Sequence, residues 1–217
     1  MLELRRAGEL LLLALALGGC GAARVSLGAG PRNYAPDDYP FIQQRWTRKA
    51  SLLSMQDLDD KLTATATFES WDFRWAYVTR YAEDFRLTEK ERTRMMTAEL
   101  DDARQFHRFY IALYTSTQHR YADLTKPGTA WVVRLVDSQG HEIEPVEIQK
   151  IAKPSPVDRK YFPYTSVWRQ AFRVKFRRRV SGSDAGIDDN QASWIALRFS
   201  GTEGASELQW NLDTESR

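Results

Sequence analysis

The sequence predicts a mainly β chain of the α+β class, an immunoglobulin-like two-sheet β-sandwich with a helix pair inserted after its first strand. Two observations predict it. From Lys61 to the end, stretches of period-two alternation recur between turn-forming residues, seven in all, which suits two packed sheets better than one exposed sheet. Between the first two of these stretches the period changes to helical spacing and holds over about residues 71–106.

The first clear strand is Lys61–Glu69, where Leu62, Ala64, Ala66 and Phe68 alternate with Thr63, Thr65, Thr67 and Glu69. Repeated threonine on one side suits a half-buried strand. The preceding residues 41–58 carry Phe41, Ile42, Trp46, Leu52, Leu53 and Met55 without a clean period, and Trp46–Leu53 reads either as a strand or as a short helix. Trp71, Trp75, Val78, Ala82 and Phe85 then fall on one helix face, with Ser70 placed to cap it. Arg86-Leu87 ends that helix. Thr88 and Glu91 have the spacing of a capping box for the next, and Glu89 and Glu91 suit the positive end of its dipole. Met96, Leu100, Ala103 and His107 repeat along it. The pair, about 71–86 and 89–106, is expected to cover an end or an edge of the sandwich.

Later strands follow the same logic. Phe109, Ile111 and Leu113 alternate with Tyr110, Ala112 and Tyr114. Thr129–Val136 places Trp131, Val133 and Leu135 on one side, Asp137-Ser138-Gln139-Gly140 turns the chain, and His141–Ile148 returns. Arg169–Val180 alternates Phe172, Val174 and Phe176 against Arg173, Lys175 and Arg177. Ser193–Phe199 sets Ile195, Leu197 and Phe199 against Trp194, Ala196 and Arg198, and a turn at Gly201–Gly204 leads into Glu207–Leu212. Ser181–Asn190 is a polar loop.

At the amino terminus Arg5 and Arg6 precede the apolar run Leu10–Leu17, which closes at Leu17-Gly18-Gly19-Cys20. A charged start, a short apolar core and small residues before a terminal site are the parts of a secretory signal, although Glu3 and Glu9 are unusual there. The run is far short of the roughly 20 residues a spanning helix needs. It resembles the signal peptide and lipobox of a bacterial lipoprotein. That resemblance implies export, a diacylglycerol on Cys20, cleavage before Cys20, acylation (palmitate) of the new amino terminus, and so a membrane partner held through covalent lipid. Gly21, in place of Asp, implies the outer membrane. The expected organisation is a signal peptide at 1–19, a lipidated cysteine and flexible tether at 20–40, and one sandwich domain at 41–217. Gly and Pro crowd the tether, and about 18 flexible residues would reach roughly 20–25 Å.

The formal charge is +2 and is unchanged by removing residues 1–19, which offers no argument for nucleic acid. Cys20 is the single cysteine, so no disulfide forms within the chain and the fold depends on its core. The order of Ala66-Thr67-Phe68-Glu69-Ser70, Arg74-Trp75-Ala76-Tyr77-Val78, Leu87-Thr88-Glu89-Lys90-Glu91, Ala112-Leu113-Tyr114-Thr115 and Phe162-Pro163-Tyr164 is similar to uncharacterised lipoproteins of Gram-negative bacteria. That resemblance supports the architecture and supplies no chemistry.

Catalytic signals are sparse. His107, His119 and His141 show no zinc-ligand spacing, and no Gly-x-Ser-x-Gly elbow occurs. Adjacent acidic pairs (Asp37-Asp38, Asp59-Asp60, Asp101-Asp102, Asp188-Asp189) lack the facing geometry that glycosidic cleavage needs. Asp184, Asp188 and Asp189 share a Gly-containing loop without the Asp-x-Asp-x-Asp-Gly order of a calcium site. Two surfaces stand out. Arg173, Lys175 and Arg177, followed by Arg178 and Arg179, place cations on one strand face, a candidate for an anionic membrane or polymer. Tyr161, Phe162, Tyr164 and Trp168 form a candidate aromatic site for a partner. The expectation is a non-catalytic binding or structural module for an envelope protein or polymer, without cofactor or metal. The alternative is an envelope hydrolase with a site assembled from scattered Asp, Glu and His.

Overall fold

Two antiparallel sheets lie face to face and a layer of helices covers the outer side of one of them. The computed structural model describes residues 24–54, 59–116, 122–179, 186–187 and 191–213. The chain enters through helix α1 (Tyr39–Arg45), then strands β1 (Thr47–Ser54) and β2 (Asp59–Phe68). Helices α2 (Trp71–Asp84) and α3 (Glu89–Gln105) follow, then β3 (Phe106–Tyr114), β4 (Trp131–Asp137), β5 (Glu142–Ile143) and β6 (Glu147–Ile151). Helix α4 (Pro156–Tyr161) and strands β7 (Gln170–Arg177), β8 (Trp194–Gly201) and β9 (Gly204–Asn211) complete it. One sheet has the order β1-β2-β3-β7-β6 and the other β5-β4-β8-β9.

The alternation read in the sequence decides which side chains meet between the sheets. Ala64, Ala66 and Phe68 of β2, Phe109 and Ile111 of β3, and Phe172, Val174 and Phe176 of β7 are fully or almost fully buried. They face Ile195, Leu197 and Phe199 of β8 and Leu208 and Trp210 of β9. Trp210 packs against Phe68 and Phe109 at 6.0 and 5.3 Å between ring centroids, and its indole Nε1 donates to Trp46 O at 2.9 Å. At the opposite end of the same strands Leu52 lies over Gly204, where a Cβ would come within 3.1 Å of it, so β1 and β9 stay side by side along their length. The β8–β9 turn requires glycine: a Cβ on Gly201 would lie 2.1 Å from Ala130 O, and Gly204 has φ +130.

The helix pair has the expected caps. Ser70 Oγ accepts from Phe73 N, and Thr88 and Glu91 form the capping box. Its position differs from the expectation. It covers the outer face of the five-stranded sheet rather than an end or an edge. Tyr161, Phe162 and Tyr164 complete that cover: Phe162 stacks on Tyr110 of β3 at 3.8 Å, and Tyr164 OH pairs with Thr67 Oγ1 of β2 at 2.7 Å. The threonine side of β2 is therefore buried too, with Thr63, Thr65 and Thr67 almost inaccessible.

Three further points depart from the sequence reading. Residues 41–58 contain both a helix end and a strand, so the pair follows the second strand and not the first. The return expected at His141–Ile148 is split between the sheets. Proline cannot continue a ladder, and at Pro145 the chain leaves β4 and crosses to pair with β7 as β6. The stretch 20–40, expected as a flexible tether, is docked from Val25 onward. Val25 is buried and bridges Leu212, with Val25 N donating to Asn211 O at 2.9 Å and Asp213 N to Val25 O at 2.8 Å. Arg32 pairs with Asp72, and Trp71 Nε1 donates to Gly30 O at 2.7 Å. Glycine and proline do prevent regular structure here. Specific hydrogen bonds nevertheless hold the segment, and composition alone does not reveal them. Cys20 and the lipobox residues Leu17, Gly18 and Gly19 lie outside the described residues.

Candidate functional site

The space between the helix pair and the sheet is built on charge. Glu69, which directly follows β2, is almost completely buried, and its Oε2 accepts from Arg108 Nε at 2.6 Å. Arg108 projects from the outer face of β3 and also donates to Glu99 of α3 and, at 3.3 Å, to Asp102. Arg74 of α2 is fully buried and ties the two helices, donating to Glu69 O at 2.7 Å, Glu99 O at 2.8 Å and Asp102 Oδ2 at 2.6 Å. From β7, Lys175 Nζ reaches Asp102 at 3.0 Å and Glu147 at 3.5 Å, while Arg173 Nε faces Glu69 Oε1 at 3.5 Å. Neither Glu69 Oε1 nor Arg173 Nε makes a hydrogen bond.

Glu69, Glu99, Arg108, Glu147, Arg173 and Lys175 line a cleft of about 280 Å³ whose apolar wall is Phe73, Tyr77 and Phe162, with Arg74 and Asp102 behind them. Burial would raise the Glu69 carboxyl, but Arg108, Arg173 and Arg74 outweigh it and hold the group below its ordinary range. Asp102 is likewise lowered, with burial opposed by the hydrogen bond from Arg74 and by Lys175 and Arg108. For Arg108 burial works against the charge, and Glu69, Glu99 and Asp102 more than restore it, so its pKa is raised. A carboxyl held ionised in this way is poorly suited to deliver a proton. The cleft is thus an ordered network of ion pairs beside an aromatic wall.

A pH prediction follows from the signs. Burial raises Asp84 while hydrogen bonds from Lys160, Tyr161 and Arg80 lower it, with a net value of about 2. Glu69 and Asp102 are lowered as well. Carboxyls of the unfolded chain titrate near about 4. Groups depressed in the folded state contribute stability above that value and lose it as pH falls through their folded pKa. The urea midpoint should therefore change little from these groups between about pH 5 and 7 and fall steadily from about pH 4 toward 2. A profile flat to pH 2 would contradict the assignment.

The residues singled out in the sequence are dispersed. Arg173 and Lys175 do alternate outward, but the helices cover that face and both cations are ion-paired, so they do not form a free anionic-binding surface. Arg177 is exposed at the end of β7. Arg178 is drawn back to α3, donating from N to Gln105 O and from Nη1 to Ala103 O, and Arg179 N donates to Ile187 O. The aromatic set divides as well. Tyr161 and Phe162 are buried and Tyr164 packs on the core, whereas Trp168 is 69% exposed and its neighbour Val167 84%. His107 is buried against Phe68, and His141 Nδ1 lies 2.9 Å from Asp137 Oδ2. His119, Asp184, Asp188 and Asp189 lie outside the described residues. Among the described residues no group of three or more His, Cys, Asp and Glu side chains is arranged to hold a metal.

Sequence reasoning missed a second surface, a groove of about 620 Å³ at the rim of the loop that carries Trp168. Val167, Lys126, Lys153, Arg159 and Arg169 line it, and Lys150 is fixed in its wall by buried Asp123 at 2.7 Å. Its cations come from three separate segments, so no local run in the sequence signals them. No family model, curated protein or solved structure matches the chain.

Proposed function

We propose that this protein is a lipid-anchored component of the bacterial cell envelope, held through Cys20 at the outer membrane, whose sandwich acts as a non-catalytic binding module. The lipobox sequence Leu17-Gly18-Gly19-Cys20 carries this reading. The docking of Val25 gives it mechanical content. Four residues separate Cys20 from Val25, and five residue steps span at most about 18 Å. A chain lipidated at Cys20 therefore keeps the Val25 end of the sandwich against the bilayer. Exposed Arg24 and Arg45 lie at that end, as does Arg177 at the close of β7, which suits an anionic headgroup surface. The alternative of an envelope hydrolase draws support from the convergence of Glu69 and Glu99 in one cleft. The depressed Glu69 and Asp102 weigh against it, because acid catalysis needs a carboxyl that stays protonated.

Replacing Cys20 by Ser in the intact bacterium should move the protein out of the membrane fraction and abolish incorporation of labelled palmitate. Unchanged membrane association of Cys20→Ser, with no label in the native chain, would remove the anchor reading.

A further inference from the structure

We propose that the groove at the rim of the Trp168 loop binds an acidic polysaccharide, a chain of sugar rings bearing carboxylate or phosphate groups. Its position comes first. Gln170 opens β7 opposite Leu113, the far end from the Phe106–Arg177 pairing, and Val25 lies at the latter end through Leu212, Trp210 and Trp46. Eight residues of β7 separate the two ends, about 25 Å. On the reading of the chain as a lipid-anchored module, the groove thus faces away from the bilayer, toward the rest of the envelope. The binding chemistry itself does not depend on the anchor.

The charge is available. Lys126, Lys153 and Arg159 are exposed, and no carboxylate among the described residues lies within ion-pair distance of them. Arg108, Arg173, Lys175 and Arg198, in contrast, each pair with at least one acid. The groove is also preorganised. Arg169 Nη1 donates to Thr65 Oγ1 at 3.0 Å and Arg159 Nη1 to Pro154 O at 2.8 Å. Asp123 accepts from Lys150 and from the backbone and hydroxyl of Thr125.

The loop between the groove residues Val167 and Arg169 adds Trp168, which is 69% exposed and whose neighbours Tyr164 and Thr165 are tied to Tyr110. An exposed indole offers a flat face to a sugar ring, and unpaired cations beside it offer partners for acid groups. A concave groove admits a polymer strand, whereas a bilayer surface cannot enter it. Among anionic partners the shape therefore selects the strand.

The test uses the full chain carrying Cys20→Ser, with immobilised polygalacturonate as probe, neutral dextran as control and phosphatidylglycerol vesicles as the competing surface. Binding to polygalacturonate should weaken with salt. It should fall at least about tenfold in Lys126→Gln/Lys153→Gln/Arg159→Gln, with a shallower salt dependence. Trp168→Ala should lose about tenfold, the order of one stacking contact. Arg134→Gln, on the outer face of the other sheet, should bind as the parent does. Unchanged affinity in the triple variant would overturn the proposal. So would equal binding to dextran, equal loss in Arg134→Gln, or binding to the vesicles alone. Because the probe is a purified polymer and the chain carries no lipid, these outcomes are independent of whether Cys20 anchors the protein in cells.

Discussion

Replacing Arg108 by Ala should destabilise the fold by about 3–5 kcal/mol, the range for removing one partner of a buried ion pair. The reason is the carboxylate left behind. Glu69 is 3% exposed, and Arg108 supplies the hydrogen bond to its Oε2. The remaining cations compensate poorly. Arg173 stands at 3.5 Å without a hydrogen bond, and Arg74 gives its Nε to the Glu69 backbone oxygen rather than to the carboxylate. The same substitution releases Glu99 and one contact to Asp102, which loosens α3 from β3. Urea unfolding measures the loss. A second variant isolates its cause: adding Glu69→Gln to Arg108→Ala should recover part of the stability, because a neutral amide does not need the missing charge. A loss below about 1 kcal/mol, or strictly additive single effects, would show that water already satisfies Glu69 and that the network contributes little.

Trp210→Ala should cost a comparable amount, about 3–5 kcal/mol, for a different reason. Trp210 is fully buried on β9 and fills the space between the sheets against Phe68 and Phe109. Its truncation opens a cavity that rigid strands on both sides cannot close, and it also leaves Trp46 O without its indole donor. Trp168→Ala is the matched control. The same chemical change on an exposed residue should shift stability by no more than about 0.5 kcal/mol. If both tryptophans proved equally tolerant, the packing of the two sheets at this end would have to be revised.

The two variants probe the two interfaces of a three-layer molecule, and those interfaces differed in how far the sequence revealed them. The sheet-to-sheet interface was legible. Period two over Leu62–Phe68, Phe109–Leu113, Phe172–Phe176 and Ile195–Phe199 names the inward side chains, and those residues are the core. The helix pair was equally legible, since Ser70 and the Thr88–Glu91 box mark both starts within the chain itself, whereas the short helices α1 and α4 went unread. Where the reading failed, a distant segment intervened. Residues 41–58 lack a single period because a helix ends and a strand begins at Trp46, whose place in the core is set by Phe68 and by the remote Trp210. The tether seemed free because its partners, Asn211 and Asp72, are remote.

For the functional surfaces the division is sharper. By itself the sequence determined which side chains of the clear strands face the same way, where the two helices of the pair begin, and that a single cysteine follows the apolar run. Tertiary structure decided what lies over each face. Arg173 and Lys175 point outward as their alternation requires, yet Glu69 at the start of the helix pair and Asp102 of α3 stand over them and convert an apparent cationic surface into the paired wall of a cleft. Lys126, Lys153, Arg159 and Arg169 carry no shared period and meet only because three loops and helix α4 converge at one end of the sandwich. Periodicity is a property of neighbouring residues along one element. Whether a charge is neutralised depends on what stands within a few ångströms of it, and that is set by contacts between elements far apart in the chain.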